Sequence, residues 1–191
     1  MCEFFLESLK KYIAFNKEEE SLLLSKIQVR NIPRKQWLVI PGEYCRAEHF
    51  VSKGCFRAYY TDEKGVQHIT KFAPEGWWIT DTESFFSGGL SKLCVEALED
   101  GEVVILNKTA QEALFDSIPQ LNRYFRLVYQ KGLMNSSERV LRTISDRAAE
   151  HYARFLDQYP GLDQRVPQYM IASYLGITPE FLSRIKAGKA R

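Results

Sequence analysis

Apolar residues recur at helical spacing near the start of the chain and at strand spacing from about residue 29 onwards. Asn16 followed by Glu19 has the residue types of a helix N-cap and its capping-box partner. Leu22, Leu23 and Ile27 then follow at helical spacing. Short β-branched or aromatic runs separated by turn residues occupy 37–40, 49–51, 56–60, 66–72, 95–98 and 103–107. This pattern predicts two short helices followed by an antiparallel sandwich or barrel over roughly residues 29–108.

A long helix is predicted after Pro119, because the following two dozen or so residues contain no further proline and a single glycine. Within it, an apolar seam of the coiled-coil kind has spacings of four, three and four residues: Leu121, Phe125, Val128 and Gly132. Such a seam either joins two subunits or packs against the sheet of its own chain. The spacing alone leaves both arrangements open, and we predict the first, a homodimer whose interface includes these four residues.

The segment from Pro167 to the C-terminus has the residue pattern of a helix-turn-helix. Gly176 suits the positive φ of a tight turn, Thr178 suits an N-cap, and Pro179 suits the first position of a second helix. The positions that would pack the two helices together are Ile171, Ala172, Leu175, Ile177, Leu182 and Ile185. A generic helical hairpin can match several of these positions, but the turn residues favour a helix-turn-helix.

Polar residues occupy the outward positions of the second helix and its tail, which are Thr178, Pro179, Glu180, Ser183, Arg184, Lys186 and Lys189. In a helix-turn-helix this helix enters the major groove. An arginine there can donate two hydrogen bonds to guanine and a glutamate can accept one from cytosine, whereas lysines neutralise phosphates. Glu180 could instead stabilise the helix dipole from the first turn. We expect this set to bind double-stranded DNA.

Charge is distributed unevenly along the chain. Residues 1–118 carry 14 Lys/Arg against 18 Asp/Glu, whereas residues 119–191 carry 12 against 6. A basic C-terminal part fits DNA binding and equally fits a solvated helix face. The first twenty residues lack a signal-peptide pattern and no stretch approaches 18 apolar residues, so we expect a cytoplasmic protein without a membrane span. The four cysteines have no metal-ligand spacing, which predicts reduced thiols and no metal site.

The sandwich with a Pro-Gly-Glu turn at 41–43, the long helix and the terminal TPEFLSRI at 178–185 together resemble the Crp/Fnr superfamily of dimeric bacterial transcription regulators. The stretch FAPEGWWITDTESFFSGGLSKLCVEALED is similar to the short members common in Bacteroidetes. The resemblance implies an α+β fold with a jelly-roll-like, cyclic-nucleotide-binding-like sensor β-roll at 1–118. The resemblance further implies a dimerisation helix at 119–142, followed by an all-α helix-turn-helix domain at 143–191. It also implies that Glu180 and Arg184 read bases. A symmetric dimer requires a palindromic operator, and RNA polymerase is a further expected partner.

The sequence departs from the resemblance at the effector site and after the last helix. Relatives that bind cyclic nucleotides hold the ribose with Gly-Glu and the cyclic phosphate with Arg-Ser/Thr-Ala. The matching positions here read Thr80-Asp81 and Ser91-Lys92-Leu93, and a lysine cannot reproduce the bidentate grip of an arginine. We therefore expect no binding of cyclic AMP in the usual manner, and an unidentified effector near Trp78, Thr80, Asp81, Ser91 and Lys92. Only residues 187–191 follow the expected second helix, so we expect the domain to lack a full two-stranded wing.

Other classes of protein find less support in the sequence. No catalytic fingerprint occurs and the three histidines lie far apart along the chain, so we expect no enzyme and no cofactor. The aromatic residues near the expected effector site either line an apolar pocket or belong to the core, and we favour the core; they are Trp77, Trp78, Phe85 and Phe86. The alternative function is a ligand-sensing or protein-interaction β-roll that has lost specific DNA binding.

Overall fold

A computed structural model describes residues 2–145 and 148–188. The helices in these ranges are α1 Glu3–Lys10, α2 Lys17–Ser25, α3 Thr82–Ser87, α4 Lys108–Ser117, α5 Pro119–Ser145, α6 Ala148–Gln158, α7 Leu162–Arg165, α8 Gln168–Leu175 and α9 Pro179–Lys186. The strands are β1 Gln28–Ile32, β2 Trp37–Val39, β3 Ala47–Lys53, β4 Phe56–Thr61, β5 Gln67–Ala73, β6 Trp78–Ile79, β7 Cys94–Ala97 and β8 Gly101–Asn107. The expected α+β class is confirmed.

The strands form two antiparallel sheets that face each other as a β-roll. One sheet has the order β1-β8-β3-β6 and the other the order β2-β7-β4-β5. The inner faces meet in a core that includes Phe56, Val51, Val95 and Val103, with Phe85 inserted from α3. The jelly-roll-like architecture expected for the first part of the chain is therefore present.

The helix ends predicted from the sequence have the expected geometry. The backbone N–H of Glu19 donates to Oδ1 of Asn16 over 2.8 Å, and the backbone N–H of Asn16 donates to Oε2 of Glu19 over 2.9 Å, which completes the capping box. The long helix begins at Pro119 as predicted. None of the helices among the described residues is long and apolar enough to cross a membrane.

Each outer face of the β-roll is covered by a different group of helices. Helices α1, α4 and the first half of α5 pack on the sheet that contains β3 and β8, around Phe5, Phe50 and Trp78. Helices α6 to α9 pack on the sheet that contains β4 and β5, around Phe72 and Phe155. The long helix α5 thus starts on one side of the roll and continues to the helices that cover the other.

Candidate functional site

The turn between α8 and α9 has the geometry of a helix-turn-helix. Gly176 ends α8 with φ of 70°, in the left-handed region that glycine adopts at no steric cost. The backbone N–H of Ile177 then donates to the carbonyl oxygen of Ala172 over 3.0 Å. Thr178 caps α9 by accepting a hydrogen bond from the backbone N–H of Phe181 over 3.2 Å, and Pro179 occupies the first position of the helix. The turn chemistry inferred from the sequence is confirmed.

The side chains expected to join α8 to α9 lie in the angle between them. Ile171, Ala172 and Leu182 are fully buried. Leu175, Ile177 and Ile185 are partly buried and pack against the same cluster. Because these apolar positions face inward, the orientation of α9 about its own axis is fixed.

The opposite face of α9 is open to solvent. The exposed residues on and next to it are Thr178, Pro179, Glu180, Ser183, Arg184 and Lys186. Glu180, Ser183 and Arg184 are three and four positions apart and so share one face. The guanidinium of Arg184 lies 5.2 Å from the ring centroid of Phe181, which supports the side chain while its donors stay accessible. Lys189 of the expected set lies outside the described residues.

The first half of the predicted seam on α5 is occupied by its own chain. Leu121 and Phe125 are 1% and 2% exposed and belong to the core beneath α1 and β3. Val128 packs partly against the same core, and Gly132 is exposed with open space beside its Cα. The expectation that Leu121 and Phe125 meet a second subunit is therefore corrected, because the sheet covers them.

A different apolar stripe on α5 is exposed. It consists of Leu127, Leu133, Met134, Val140 and Leu141, hereafter the α5 stripe. Leu127, Met134 and Leu141 repeat every seven residues, and Leu133 and Val140 do the same, which is the repeat of a helix that packs along another helix. A groove beside the stripe includes Leu133 in its lining, together with Phe115 and Gln130. The sequence pattern alone did not single out this stripe, because the seam upstream has the four-three spacing of a coiled coil.

A buried hydrogen-bond network fixes α5 on the roll. The carboxylate of Glu48 on β3 accepts hydrogen bonds from Nε2 of Gln111 over 2.5 Å and from the hydroxyl of Tyr129 over 2.9 Å. Burial raises the pKa of Glu48, against the opposing effect of these two hydrogen bonds. Nε1 of Trp78 also donates to the hydroxyl of Tyr124 over 2.9 Å. Two residues of α5 are thus bonded to side chains of the roll.

The polar groups of the expected effector loop are hydrogen-bonded to one another. Asp81 caps α3 and its carboxylate accepts from the hydroxyl of Ser91 over 2.7 Å and from the backbone N–H groups of Ser84, Lys92 and Leu93. Although burial alone would raise the pKa of Asp81, these hydrogen bonds hold it below its usual range. The carboxylate therefore closes the loop instead of pointing to an open site.

The other residues expected near the effector mostly contact other parts of the protein. The hydroxyl of Thr80 donates to the carbonyl oxygen of Ala47 over 2.9 Å, and the ammonium of Lys92 pairs with Glu83 at the surface over 3.1 Å. Trp78 and Phe85 are buried, as favoured from the sequence, whereas Phe86 is about half exposed. Within the described residues, no three or more His, Cys, Asp or Glu side chains are placed to hold a metal ion.

No family model and no curated protein matches this sequence, whereas several solved structures match its fold. FixK2 from Bradyrhizobium japonicum superposes with a TM-score of 0.73 at 20% identity, over 85% of this chain and 83% of that one. CLP, a c-di-GMP responsive global regulator from Xanthomonas campestris, gives a TM-score of 0.70 at 13% identity, over 91% of both chains. A protein from Eubacterium rectale described as a transcriptional regulator of the Crp/Fnr family gives 0.69 at 13% identity, over 93% and 87%. The chain therefore has the fold of the Crp/Fnr regulators.

Proposed function

We propose that the protein is a sequence-specific DNA-binding transcription regulator. The main support for this proposal is the exposed surface of α9, which presents polar and basic side chains that can read bases. The apolar side of α9 packs within a helix-turn-helix, so the exposed side faces outward. The likeness to regulators in fold supports the same assignment. Such a regulator would act on the chromosome, in the bacterial cytoplasm.

The residues of α9 have different proposed roles. Arg184 donates two hydrogen bonds to a guanine, and Glu180 accepts one from a cytosine of the same half-site. Thr178, Ser183 and Lys186 are also exposed and contact phosphates or base edges. Lys189 adds phosphate neutralisation from the tail. A protein with these contacts binds specific DNA more tightly than random DNA, and both interactions weaken as salt rises.

The protein is proposed to act as a homodimer joined along α5. The α5 stripe supports this, since its seven-residue repeat matches a helix that packs against an identical helix in parallel register. The same chain contributes both sides of such an interface, so the stripe needs no further partner. Two α9 helices related by a twofold axis would bind a palindromic operator, with half-sites about one helical turn of DNA apart.

The effector is proposed to differ from cyclic AMP bound in the usual manner. No arginine occupies 91–93 to grip a cyclic phosphate, and the carboxylate of Asp81 is already bonded to its own loop. A ligand that contacts Thr80, Ser91 or Lys92 would have to compete with these bonds. Calorimetric titration with cyclic AMP at micromolar concentration should give no saturable heat. A saturable signal would overturn this part of the proposal.

The proposed function is tested by selection of bound duplexes from a random DNA library, followed by affinity measurements. We expect a palindromic sequence to be enriched, and we expect the protein to prefer it over a scrambled duplex by at least about a thousandfold at physiological salt. Enrichment of no sequence, or equal affinity for both duplexes, would favour the alternative of an interaction module without specific DNA binding.

A further inference from the structure

The helix-turn-helix is packed directly on the β-roll. One hydrophobic cluster contains roll residues and residues of α6 to α9, and among the described residues the terminal helices have no separate core. At its centre, the ring of Phe72 on β5 lies 5.5 Å from that of Tyr174 and 6.0 Å from those of Phe155 and Tyr159, measured between centroids. Aromatic pairs at these distances add to the energy of burial. The packing fixes where α8, and hence α9, stands relative to the roll.

The hydroxyl group of Ser173 on α8 forms hydrogen bonds with the edge strand of one sheet. Strand β5 is the last strand in its sheet, so one row of its backbone groups has no partner strand. The hydroxyl of Ser173 accepts a hydrogen bond from the backbone N–H of Ile69 over 3.1 Å and donates one to the carbonyl oxygen of Gln67 over 2.9 Å. A single side chain of the helix-turn-helix thus bonds two edge groups of the roll.

Two arginines reinforce this attachment on either side. Arg165 on α7 makes two hydrogen bonds of 2.9 Å to the carboxylate of Glu75 and also contacts Glu99. Arg139 on α5 donates to the carbonyl oxygen of Thr70 over 2.7 Å, and its guanidinium lies 5.3 Å from the ring centroid of Tyr174 on α8. Because both oxygens of Glu75 engage one guanidinium, the contact fixes orientation as well as distance. The terminal helices are therefore held by the roll and by α5 together.

The attachment leaves the DNA-binding face uncovered. The roll meets α6, α7 and α8, whereas α9 contributes Leu182 to the shared cluster and keeps Glu180, Ser183 and Arg184 exposed. We propose that this docked position is the one that binds DNA, and that Ser173 and Arg165 are positioning residues that set the placement of α9 relative to α5. This inference rests on the proposed function, since it concerns how a dimer presents two recognition helices.

The physical benefit of the attachment is a fixed distance between the two recognition helices of a dimer. When one recognition helix of a dimer has bound, the second binds as an intramolecular event with an effective concentration set by the rigidity of the link. A loosely attached helix-turn-helix would sample many positions and lose this advantage. The loss would affect a complete palindrome and would spare a duplex that carries one half-site.

The test compares Ser173→Ala and Arg165→Ala with the wild type on a palindromic duplex and on a half-site duplex at one salt concentration. The controls are Ser117→Ala, whose hydroxyl bonds only its own helix, and Arg34→Ala, which removes an exposed positive charge elsewhere. We expect each test variant to weaken palindrome binding about fivefold or more and to leave half-site binding within about twofold. The controls should match the wild type on both duplexes.

Further readouts separate positioning from folding. Hydrogen exchange at the amide of Ile69 should be faster in Ser173→Ala, while Ser173→Thr, which keeps the hydroxyl, should restore the affinity for the palindrome. Half-site binding itself reports that the helix-turn-helix is folded. Unchanged palindrome affinity in both test variants would overturn the inference, and tighter binding would overturn it too, since the docked position would then be inhibitory. A wild type with no preference for the palindrome would remove the proposed function and this inference with it.

Discussion

Truncation of the α5 stripe should convert the protein from a dimer to a monomer. Leu133 and Met134 are 69% and 70% exposed in a single chain. Complete burial of such a side chain contributes about 1.5–3 kcal/mol, so burial of two thirds contributes about 1–2 kcal/mol. The variant Leu133→Ala/Met134→Ala removes four side chains per dimer, which amounts to about 4 kcal/mol at the lower end. This raises the dissociation constant of the dimer roughly a thousandfold.

Sedimentation velocity across a micromolar concentration series measures this change. The wild type should sediment as a dimer and the double variant as a monomer with an unchanged circular dichroism spectrum. A matched control is Tyr12→Ala/Val66→Ala, which removes two side chains that are 56% and 51% exposed at other places and should remain dimeric. A monomeric wild type, or a double variant that dimerises as tightly as the wild type, would refute the assignment of the stripe as the subunit interface.

Three further predictions concern the β-roll. Burial lowers the pKa of His49 to about 4, so the unfolded chain binds a proton at this residue between pH 6.5 and 4 while the folded chain does not. The free energy of unfolding should therefore fall by about 3 kcal/mol as the pH drops from 6.5 to 4. In denaturant titrations, His49→Gln should show a smaller fall in the free energy of unfolding over that range. Gly54→Ala should destabilise the fold more than Gly65→Ala in thermal melts, because both have positive φ but only at Gly54 would a Cβ meet backbone, 2.9 Å from Cα of Gly101. Asp81→Ala should cost about 2–3 kcal/mol in urea unfolding, since it leaves the donors of its loop without an acceptor, and a cost below 0.5 kcal/mol would contradict the role of this carboxylate.

The parts of the fold that sequence reasoning predicted depend on contacts between near neighbours in the chain. The capping box at Asn16 and Glu19, the positive φ at Gly176 and the cap at Thr178 each involve groups within a few residues of one another. Strand alternation and the inward side of α9 are likewise local periodicities. Such features need no knowledge of the remaining chain, and the sequence therefore specifies them.

The features that were missed depend on contacts between distant segments. Spacing identified Leu121 and Phe125 as a seam, but only the position of α5 on the roll shows that the sheet covers them and that the α5 stripe stays exposed. The attachment of Ser173 to Ile69 joins residues 104 positions apart, which no periodicity signals. The hydrogen bonds of Asp81 likewise depend on the path of the whole loop, which brings residues 91–93 to its carboxylate.

The most direct test of the account is the affinity of Arg184→Ala and Lys186→Ala for the operator and for a scrambled duplex across a salt series. Arg184→Ala should cost about 1–3 kcal/mol on the operator and much less on scrambled DNA, because its hydrogen bonds distinguish bases. Lys186→Ala should weaken both duplexes alike and reduce the salt slope by about one contact. Equal weakening of both duplexes by Arg184→Ala would contradict its role in base reading, and unchanged binding in both variants would contradict DNA recognition by α9.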